Sequence, residues 1–247
     1  MKTTILTTTL YRSVEETRFH LACQMIGNAV AMNYNVVVFD ASPSVIREAF
    51  QRIGADIHRS KNKGMGPERR ELFKFARDLD SEIFVWTEPE KIDLVRLVPK
   101  IIESIKNGEA DIVIPSRTER SWQSYPNFQI SSEQEANAVY AEIIGKNFDP
   151  MFGPVAFRGN MVDYFAYCNP TEQFGAADGY IQHFAPIEAM ANDYEVISVP
   201  VDCFYPSVQK AEEESMLLEE MVKKRKWQFD QLVAGYRLAA KAFGLPQ

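Results

Sequence analysis

Short apolar runs alternate with helical patterns along the first half of this chain, and this alternation constrains the fold more than any other feature. Asn35–Asp40 (NVVVFD) and Glu82–Trp86 (EIFVW) are almost continuously apolar, which is typical of strands covered on both faces in a parallel sheet. Four strand–helix alternations followed by a further strand predict an α/β fold with a doubly wound, mostly parallel sheet and helices on both faces. The predicted strands are Thr4–Thr9, Asn35–Asp40, Ala55–Arg59, Glu82–Trp86 and Ala110–Pro115.

The helices between these strands carry start signals. Ser13 and Glu16 form a capping box that opens a helix to about Met32. Ser42 is placed as an N-cap, with Pro43 in the first helical turn. Further helices are predicted over Pro67–Leu79 and Ile92–Lys106.

The second half of the chain is less regular. The aromatic-rich segment Ser116–Ile130 is predicted to be a loop, and Pro200 in the run Glu195–Phe204 predicts an edge strand or a bulge. The other predicted elements are a helix opened by a second capping box at Ser132–Glu135 and ending near Ile144, a strand at Phe152–Arg158, helices at Asn160–Tyr167 and Gly179–Ala191, and a long amphipathic helix from Val208 to Phe243. Because no repeat or linker separates the halves, one domain over residues 1–247 is predicted.

Composition argues against several classes of function. Lys and Arg number 27 against 34 Asp and Glu, a net charge of −7, and such an acidic chain is not expected to bind nucleic acid. The three cysteines form no CxxC, and the three histidines form no HxH or HExxH motif. This pattern argues against a disulfide framework and a histidine metal site. The sequence contains no recognisable secretory signal or integral membrane segment, so a cytoplasmic protein is expected.

Candidate ligand-binding residues follow the predicted strands, because open parallel sheets bind ligands beyond the carboxyl ends of their strands. The segment Lys61–Arg70 (KNKGMGPERR) combines basic side chains with two glycines. Gly64 and Gly66 would let the backbone approach a ligand, and the following helix N-terminus would offer N–H groups to an anionic diphosphate. A solvated turn with charged helix ends is the alternative.

Carboxylates follow two other predicted strands. Asp40 would accept hydrogen bonds from a ribose or a base, or would interact with the dipole of the next helix. Glu88 and Glu90 would hold a divalent cation that bridges phosphates, or would belong to an acidic helix start. Lys91 would add positive charge in place of a metal or beside it.

A further carboxylate, Asp178, lies in the small-residue turn GAADGY. It is either a helix N-cap or a general base that deprotonates an acceptor hydroxyl. His183 lies five residues later in the chain, off the helical face of Asp178, and is expected to be a structural polar residue.

Taken in order, these segments resemble the GT-A glycosyltransferases, the nucleotide-diphospho-sugar transferase fold, and especially its family 2-like and mannosylglycerate synthase-like members. The matching segments are Thr7–Arg12, Asp40, the basic loop and helix Asn62–Arg70, Thr87–Glu90 at the position of the DxD acid motif, Ala110–Arg117, the acceptor-side strand Phe152–Arg158, Asp178, and the late strand Glu195–Tyr205. This chain departs from the pattern twice. Glu88-Pro89-Glu90 stands where DxD is expected, and no histidine follows His183 to serve as the late metal ligand.

The resemblance implies a nucleotide-binding half over residues 1–120, an acceptor half over 121–207 and a C-terminal helix over 208–247. It implies transfer of a sugar from a UDP- or GDP-sugar to a hydroxyl of a small-molecule or glycan acceptor, with Mg²⁺ or Mn²⁺. The implied nucleotide-sugar contacts are Thr8, Arg12, Asp40, Lys63, Arg69, Arg70, Lys91 and Arg117, the metal ligands are Glu88 and Glu90, and the catalytic residues are Asp178 and Glu90. A catalytically silent, sugar-nucleotide-binding partner protein is one alternative. A sugar nucleotidyltransferase is another, although its glycine–arginine loop normally follows the first strand and here such a loop follows the third.

The C-terminal helix contains too many apolar residues to leave exposed. It is expected to pack on the same core or, alternatively, to form a homodimer interface. Its basic run Lys223–Lys226 would contact an anionic membrane surface or would be a solvated stretch. The aromatic segment Trp122–Phe128 would line an acceptor pocket or cap the core.

Overall fold

The strands of this protein form one sheet in the computed structural model, which describes residues 1–215 and 218–245. They are β1 (Thr3–Thr9), β2 (Asn35–Asp40), β3 (Asp56–Arg59), β4 (Ile83–Trp86), β5 (Ile112–Arg117), β6 (Val155–Arg158) and β7 (Val196–Val201). Their spatial order is β3-β2-β1-β4-β6-β5-β7, and neighbours are parallel except where β6 pairs with β4 and β5. The predicted doubly wound, mostly parallel sheet is confirmed.

Helices cover both faces of this sheet. They are α1 (Thr17–Ala31), α2 (Ser44–Ile53), α3 (Met65–Ala76), α4 (Leu94–Ile101), α5 (Glu103–Lys106), α6 (Glu119–Trp122), α7 (Asn127–Ile144), α8 (Val162–Tyr167), α9 (Pro170–Phe174), α10 (Ile181–Ala191), α11 (Ser207–Glu214) and α12 (Leu218–Ala242). The first face carries α3, α7, α8, α9, α10 and α12, and the second carries α1, α2, α4 and α5. A short 3-10 turn, Asp178–Tyr180, precedes α10.

Alternating side chains of the buried strands divide the core into two layers. Phe84 and Trp86 of β4 belong to one hydrophobic cluster, and Ile83 and Val85 belong to the other, because successive side chains of a strand face opposite sides of the sheet. All four side chains are at most 1% exposed. This burial on both faces explains why continuous apolar runs located the central strands correctly.

Two predicted helix starts are wrong, one because the capping box closes a turn ahead of the helix and one because the serine hydroxyl binds another partner. Glu16 accepts from the backbone N–H of Ser13 at 3.0 Å, but α1 begins only at Thr17. Ser42 does not cap α2, since its hydroxyl donates to the carboxylate of Asp40 at 2.6 Å. Strand-end loops thus use the side chains that the sequence suggested as helix caps.

The predicted loop Ser116–Ile130 is also wrong, since it contains α6 and the first turn of α7. α7 begins before the second capping box, and Ser132 donates to the carbonyl of Phe128 at 3.0 Å from within the helix. The predicted helix Ile92–Lys106 is divided into α4 and α5 shortly after Pro99, a residue that cannot donate a helical hydrogen bond.

The last part of the chain contains an edge strand and two helices. β7 lies at the sheet edge, as Pro200 predicted. The segment predicted as one long helix contains α11 and α12, while Met216, Leu217, Pro246 and Gln247 lie outside the described residues. α12 packs on the core of the first sheet face through Leu232, Tyr236, Ala239 and Ala240. None of the described helices is both long enough and apolar enough to cross a membrane.

Candidate functional site

A cavity of about 270 Å³ opens at the carboxyl edge of the sheet, where the end of β4 lies beside the start of β6. Glu88, Glu90 and Lys91, which follow β4, line it directly. Its other walls include Met65 and Arg69 of α3, Phe152 and Gly153 before β6, Gly179, Tyr180, Gln182 and His183 around the start of α10, Cys203–Pro206 after β7, and Arg18, Gln209, Glu213 and Arg225 from α1, α11 and α12. The cavity therefore lies at the sheet edge where the sequence predicted ligand-binding residues.

Glu88 lies against the backbone of Gly153. Gly153 has a φ of +100°, a conformation that favours glycine, and a Cβ at this position would collide with the Glu88 carboxylate. Oε2 of Glu88 is buried and has no hydrogen-bond partner among the described residues. Its nearby cation is the ammonium of Lys91, at 3.8 Å.

Lys91 is a largely buried cation on the cavity wall. Its ammonium nitrogen lies 4.7 Å from the centre of the Phe152 ring, and its side chain is 17% exposed. Burial alone would lower the pKa of Lys91, but Tyr125 and Glu88 raise it above its ordinary value. The side chain is therefore positively charged at neutral pH.

Glu90 contacts a different set of residues from Glu88. Its carboxylate accepts a hydrogen bond from the hydroxyl of Tyr11 at 3.2 Å. Burial raises the pKa of Glu90, and the positive charge of Arg18 opposes that shift. Arg18 itself donates to Glu213 of α11 at 2.8 Å. Glu90 is therefore a desolvated carboxylate that accepts a proton more readily than an ordinary glutamate.

Arg69 is a buried cation that α3 contributes to the cavity wall. Its guanidinium donates to the backbone carbonyl of Gly179 and, at 3.1 Å, to the side-chain oxygen of Gln182. The guanidinium carbon lies 4.3 Å from the centre of the Trp86 ring. Nε is buried without a hydrogen-bond partner among the described residues, so Arg69 retains an unused donor.

His183 connects the cavity wall to α12. The ring is buried and its Nδ1 lies 2.6 Å from the hydroxyl oxygen of Tyr236. Burial, followed by the charge of Arg69, lowers the pKa of His183 to about 3, so the imidazole is neutral at physiological pH. His183 was expected to be a structural polar residue, and the hydrogen bond to Tyr236 supports that role, although the His183 side chain also lines the cavity.

The start of α3 is covered by protein, which contradicts the expected approach of a ligand at Gly66. A Cβ at Gly66 would collide with Asp178, because the Asp178 side chain fills this space. Arg70 pairs with both carboxylate oxygens of Asp178, and the distance from Nη2 to Oδ2 is 2.9 Å. Asp178 does not cap a helix, and neither it nor Arg70 lines the cavity.

The predicted nucleoside contact Asp40 is fully buried and already hydrogen-bonded. The hydroxyls of Thr9 and Ser42 each donate to Oδ1 at 2.6 Å, and the backbone N–H of Ser42 donates to Oδ2 at 3.0 Å. Burial raises the pKa of Asp40, while these hydrogen bonds lower it. Thr8 is half-buried, and Arg12 and Lys63 are exposed. None of these residues lines the cavity.

Arg117, the last predicted donor contact, is an internal structural cation rather than a residue of the cavity wall. Its guanidinium is paired with Glu133 at 2.5 Å and Asp149 at 2.7 Å. Burial alone would lower the pKa of Arg117, but these two carboxylates raise it. With no side-chain surface exposed, Arg117 has no access to a ligand.

Four of the predicted site residues therefore meet in the cavity, namely Arg69, Glu88, Glu90 and Lys91. Sequence reasoning missed Arg18, Gln182 and Arg225, which come from three helices remote from one another in the chain. Arg225 belongs to the basic run considered for a membrane surface, and in the structure it pairs with Glu133 at 3.3 Å. No local motif marks Arg18 or Gln182.

This architecture defines the class of fold: the chain has the fold of the nucleotide-diphospho-sugar transferases, GT-A. No protein-family model and no curated protein matches the sequence. Glucosyl-3-phosphoglycerate synthase from Mycobacterium tuberculosis, solved with Mn²⁺, UDP and glucosyl-3-phosphoglycerate, is similar with a TM-score of 0.59 and 12% identity over 100% of this chain and 81% of that chain.

Two further solved structures share the fold. Mannosyl-3-phosphoglycerate synthase from Rubrobacter xylanophilus has a TM-score of 0.59 and 8% identity over 100% of this chain and 76% of that chain. CMP:2-keto-3-deoxy-manno-octonic acid synthetase in complex with CTP has a TM-score of 0.51 and 11% identity over 92% of this chain and 100% of that chain. At these identities the similarity establishes the fold.

The Mn²⁺ in the mycobacterial structure raises the question of whether Glu88 and Glu90 fit such an ion. Among the described residues, no group of three or more His, Cys, Asp or Glu is placed to hold a metal. Glu90 is bonded to Tyr11, and Glu88 lies near the Lys91 ammonium. Proteins hold Mg²⁺ through one or two carboxylates together with substrate phosphates and water, so the misfit lies in charge rather than in ligand number. The Lys91 ammonium, 3.8 Å from Glu88, would repel a divalent ion from that carboxylate.

Proposed function

We propose that this protein is a glycosyltransferase that moves a sugar from a UDP- or GDP-sugar to a hydroxyl group of an acceptor. The observation that carries the proposal is the convergence of Arg69, Glu88, Glu90 and Lys91 in one cavity at the carboxyl edge of the sheet. Two solved structures with the same fold are glycosyl-3-phosphoglycerate synthases, one of them in complex with UDP. Fold and cavity chemistry thus support the same class of reaction.

In the proposed reaction, the acceptor oxygen forms a bond to the anomeric carbon of the sugar. The bond between that carbon and the diphosphate oxygen breaks, and the nucleoside diphosphate leaves with the electron pair. Lys91 and Arg69 stabilise the negative charge that develops on the leaving diphosphate, because fixed, largely buried cations act more strongly than cations in bulk water.

The acceptor proton passes to a carboxylate, for which Glu90 and Asp178 were the predicted candidates. Glu90 lines the cavity and has a pKa raised by burial. Asp178 lies outside the cavity and is clamped by Arg70. We therefore favour Glu90 as the proton acceptor and assign Asp178 the role of anchoring α3 beneath the donor site.

The nucleoside would extend from this cavity along the carboxyl ends of β1 and β2. Thr8, which is half-buried, offers a hydroxyl there. The side-chain oxygens of Asp40 already accept hydrogen bonds from Thr9 and Ser42, so Asp40 would shape this edge rather than bind the base directly. Arg12 and Lys63 are exposed and would contact a donor only from its solvent side.

Calorimetric titration with UDP and GDP tests the donor half of the proposal. We expect Arg69→Gln to weaken binding by about tenfold or more, because it removes a charged donor from the diphosphate. Arg52→Gln is the matched control, since Arg52 is an exposed arginine on α2 that pairs with the exposed Glu48 at 3.4 Å. Absence of binding by both nucleotides at about 1 mM would overturn the proposal.

The two alternative functions give different results in the same preparation. A sugar nucleotidyltransferase, a class represented among the structural neighbours by the CTP complex, would release pyrophosphate from a nucleoside triphosphate. A silent binding protein would bind UDP or GDP without hydrolysing or transferring any sugar. Release of nucleoside diphosphate from a UDP- or GDP-sugar distinguishes the glycosyltransferase from both.

A further inference from the structure

The charged side chains of the cavity are unequally paired. Four cations, Arg18, Arg69, Lys91 and Arg225, face four carboxylates, Glu88, Glu90, Glu133 and Glu213. Arg18 pairs with Glu213 at 2.8 Å, and Arg225 pairs with Glu133 at 3.3 Å. The two cations nearest the end of β4, Lys91 and Arg69, have no such short ion pair among the described residues.

Lys91 has hydrogen-bonding capacity to spare. An ammonium group carries three N–H donors, and the carboxylate oxygen of Glu88 is 3.8 Å away, beyond hydrogen-bond distance. The Phe152 ring, 4.7 Å from the nitrogen, supports the positive charge without using a donor. The Lys91 ammonium is therefore a charged group on the cavity wall with N–H donors available to a phosphate.

Arg69, on the cavity wall formed by α3, also has an unused hydrogen-bond donor. Both of its hydrogen bonds go to neutral oxygens, those of Gly179 and Gln182. Its guanidinium lies over Trp86 at 4.3 Å, and Nε is buried without a partner among the described residues. Arg69 is thus a rigidly held cation with an unused donor.

The carboxylates that would hold a metal are arranged less favourably. Glu90 is engaged by Tyr11 at 3.2 Å. Glu88 lies against the backbone of Gly153, and its neighbouring cation is the Lys91 ammonium at 3.8 Å. Each carboxylate thus already faces a donor or a cation of the protein, and Lys91 would repel a divalent ion placed beside Glu88.

We infer that this cavity binds the diphosphate of its donor without a divalent cation, and that Lys91 and Arg69 supply the neutralising charge. This inference rests on the proposed function, because it concerns the nucleoside diphosphate of the donor. Glu88 then serves to position the Lys91 ammonium rather than to ligate a metal. The two fixed cations together carry the charge that one divalent ion would provide.

The test measures binding of UDP and GDP by calorimetry, once in EDTA and once with Mn²⁺. We expect the dissociation constant of the wild-type protein to differ by less than about threefold between the two buffers. Lys91→Met should weaken binding about tenfold or more in both, because it removes a charge-assisted hydrogen bond. Lys91→Arg should retain most of the affinity in EDTA, which separates loss of charge from loss of folding. Lys106→Met, at an exposed lysine of α5, is the matched control and should bind as the wild type does.

The possible failures are distinguishable from one another. Binding that improves about tenfold or more with Mn²⁺ would overturn the metal-independent inference and leave the proposed function intact. Unchanged binding of Lys91→Met in EDTA would overturn the role of Lys91. Absence of nucleotide binding in both buffers would overturn the inference together with the proposed function.

Discussion

Arg117 donates from Nε and Nη2 to the two carboxylate oxygens of Asp149, at 2.8 and 2.7 Å. The same guanidinium donates to Glu133 and lies 3.5 Å from the centre of the Trp122 ring. Arg117 therefore joins β5 to α7 and to the turn before β6. Glu133, which also contacts Arg225, connects this buried network to the cavity wall.

We predict that Asp149→Asn destabilises the protein by about 3 kcal/mol, because removal of one partner leaves a buried charge poorly compensated. Although burial alone would raise the pKa of Asp149, Arg117 lowers it below its ordinary value, which is consistent with a strong pair. Glu48→Gln, which breaks an exposed pair with Arg52, should cost less than about 0.5 kcal/mol. Urea denaturation measures the free energy of unfolding of both variants. A decrease of less than about 1 kcal/mol in Asp149→Asn would contradict the prediction.

Acid should destabilise the protein through His183. The pKa of His183 is lowered by burial from 6.5 to about 3, so below pH 6.5 the unfolded chain binds a proton that the folded chain does not. The free energy of unfolding therefore carries no penalty from His183 above pH 6.5. Below pH 6.5 it decreases as the pH falls toward 3, with a slope approaching about 1.4 kcal/mol per pH unit.

The control for this prediction is a second histidine variant. Denaturation curves between pH 7 and pH 4 should show a smaller acid loss for His183→Gln than for the wild type. His20→Gln, at an exposed position of α1, should follow the wild-type profile. If His183→Gln and the wild type lose the same stability over this range, the buried imidazole does not contribute to acid sensitivity.

The fold was predictable where burial alone decides the local structure. Asn35–Asp40 matches β2 residue for residue, because a strand covered on both faces needs a continuous apolar run. Helix starts were less predictable, since the energy of a cap is similar to that of other short-range hydrogen bonds. Ser42 illustrates the competition, as its hydroxyl binds Asp40 instead of the start of α2.

The candidate site was predictable only in part. Glu88, Glu90 and Lys91 were predicted to share the carboxyl edge of the sheet because they follow a strand, and in the structure they line the cavity at that edge. Arg70 and Asp178 were both chosen as site residues, but their pairing across 108 positions of the chain removes both from the cavity wall. Such long-range ion pairs depend on how helices pack, and no local sequence pattern encodes them.

Gly153→Ala should disturb the cavity more than an ordinary glycine substitution. Gly153 has φ +100° and ψ −50°, outside the left-handed helical region, so we expect backbone strain to cost about 2 kcal/mol or more in stability. A methyl group there would also push the Glu88 carboxylate aside, and we expect weaker UDP or GDP binding. The control is Gly145→Ala, because Gly145 also has a positive φ, of +74°, but no atom of the described residues lies within 4 Å of the added methyl. Gly145→Ala should cost about 1 kcal/mol, from backbone strain alone, and should leave nucleotide binding unchanged. Equal binding defects in the two variants would contradict the proposed contact between Gly153 and Glu88.

Asp178 and Glu90 are proposed to have different roles, the first anchoring α3 and the second accepting the acceptor proton. If Asp178 anchors α3 through Arg70, the stability losses of Asp178→Asn and Arg70→Gln should overlap, with a coupling energy of about 1 kcal/mol in a double-mutant cycle. The exposed pair of Arg77 and Asp163, whose side chains are 42% and 55% exposed, should show a coupling near zero. Urea denaturation of the single and double variants measures both couplings.

Sugar transfer by the same variants decides which carboxylate accepts the proton. Glu90→Gln should reduce the transfer rate by about 10²-fold or more while UDP or GDP still binds, because an amide cannot take up a proton from the acceptor. Asp178→Asn and Arg70→Gln should reduce the rate by similar, smaller factors, since both disturb only the packing of α3. A large rate loss in Asp178→Asn, with stability retained and Arg70→Gln unaffected, would instead identify Asp178 as the general base.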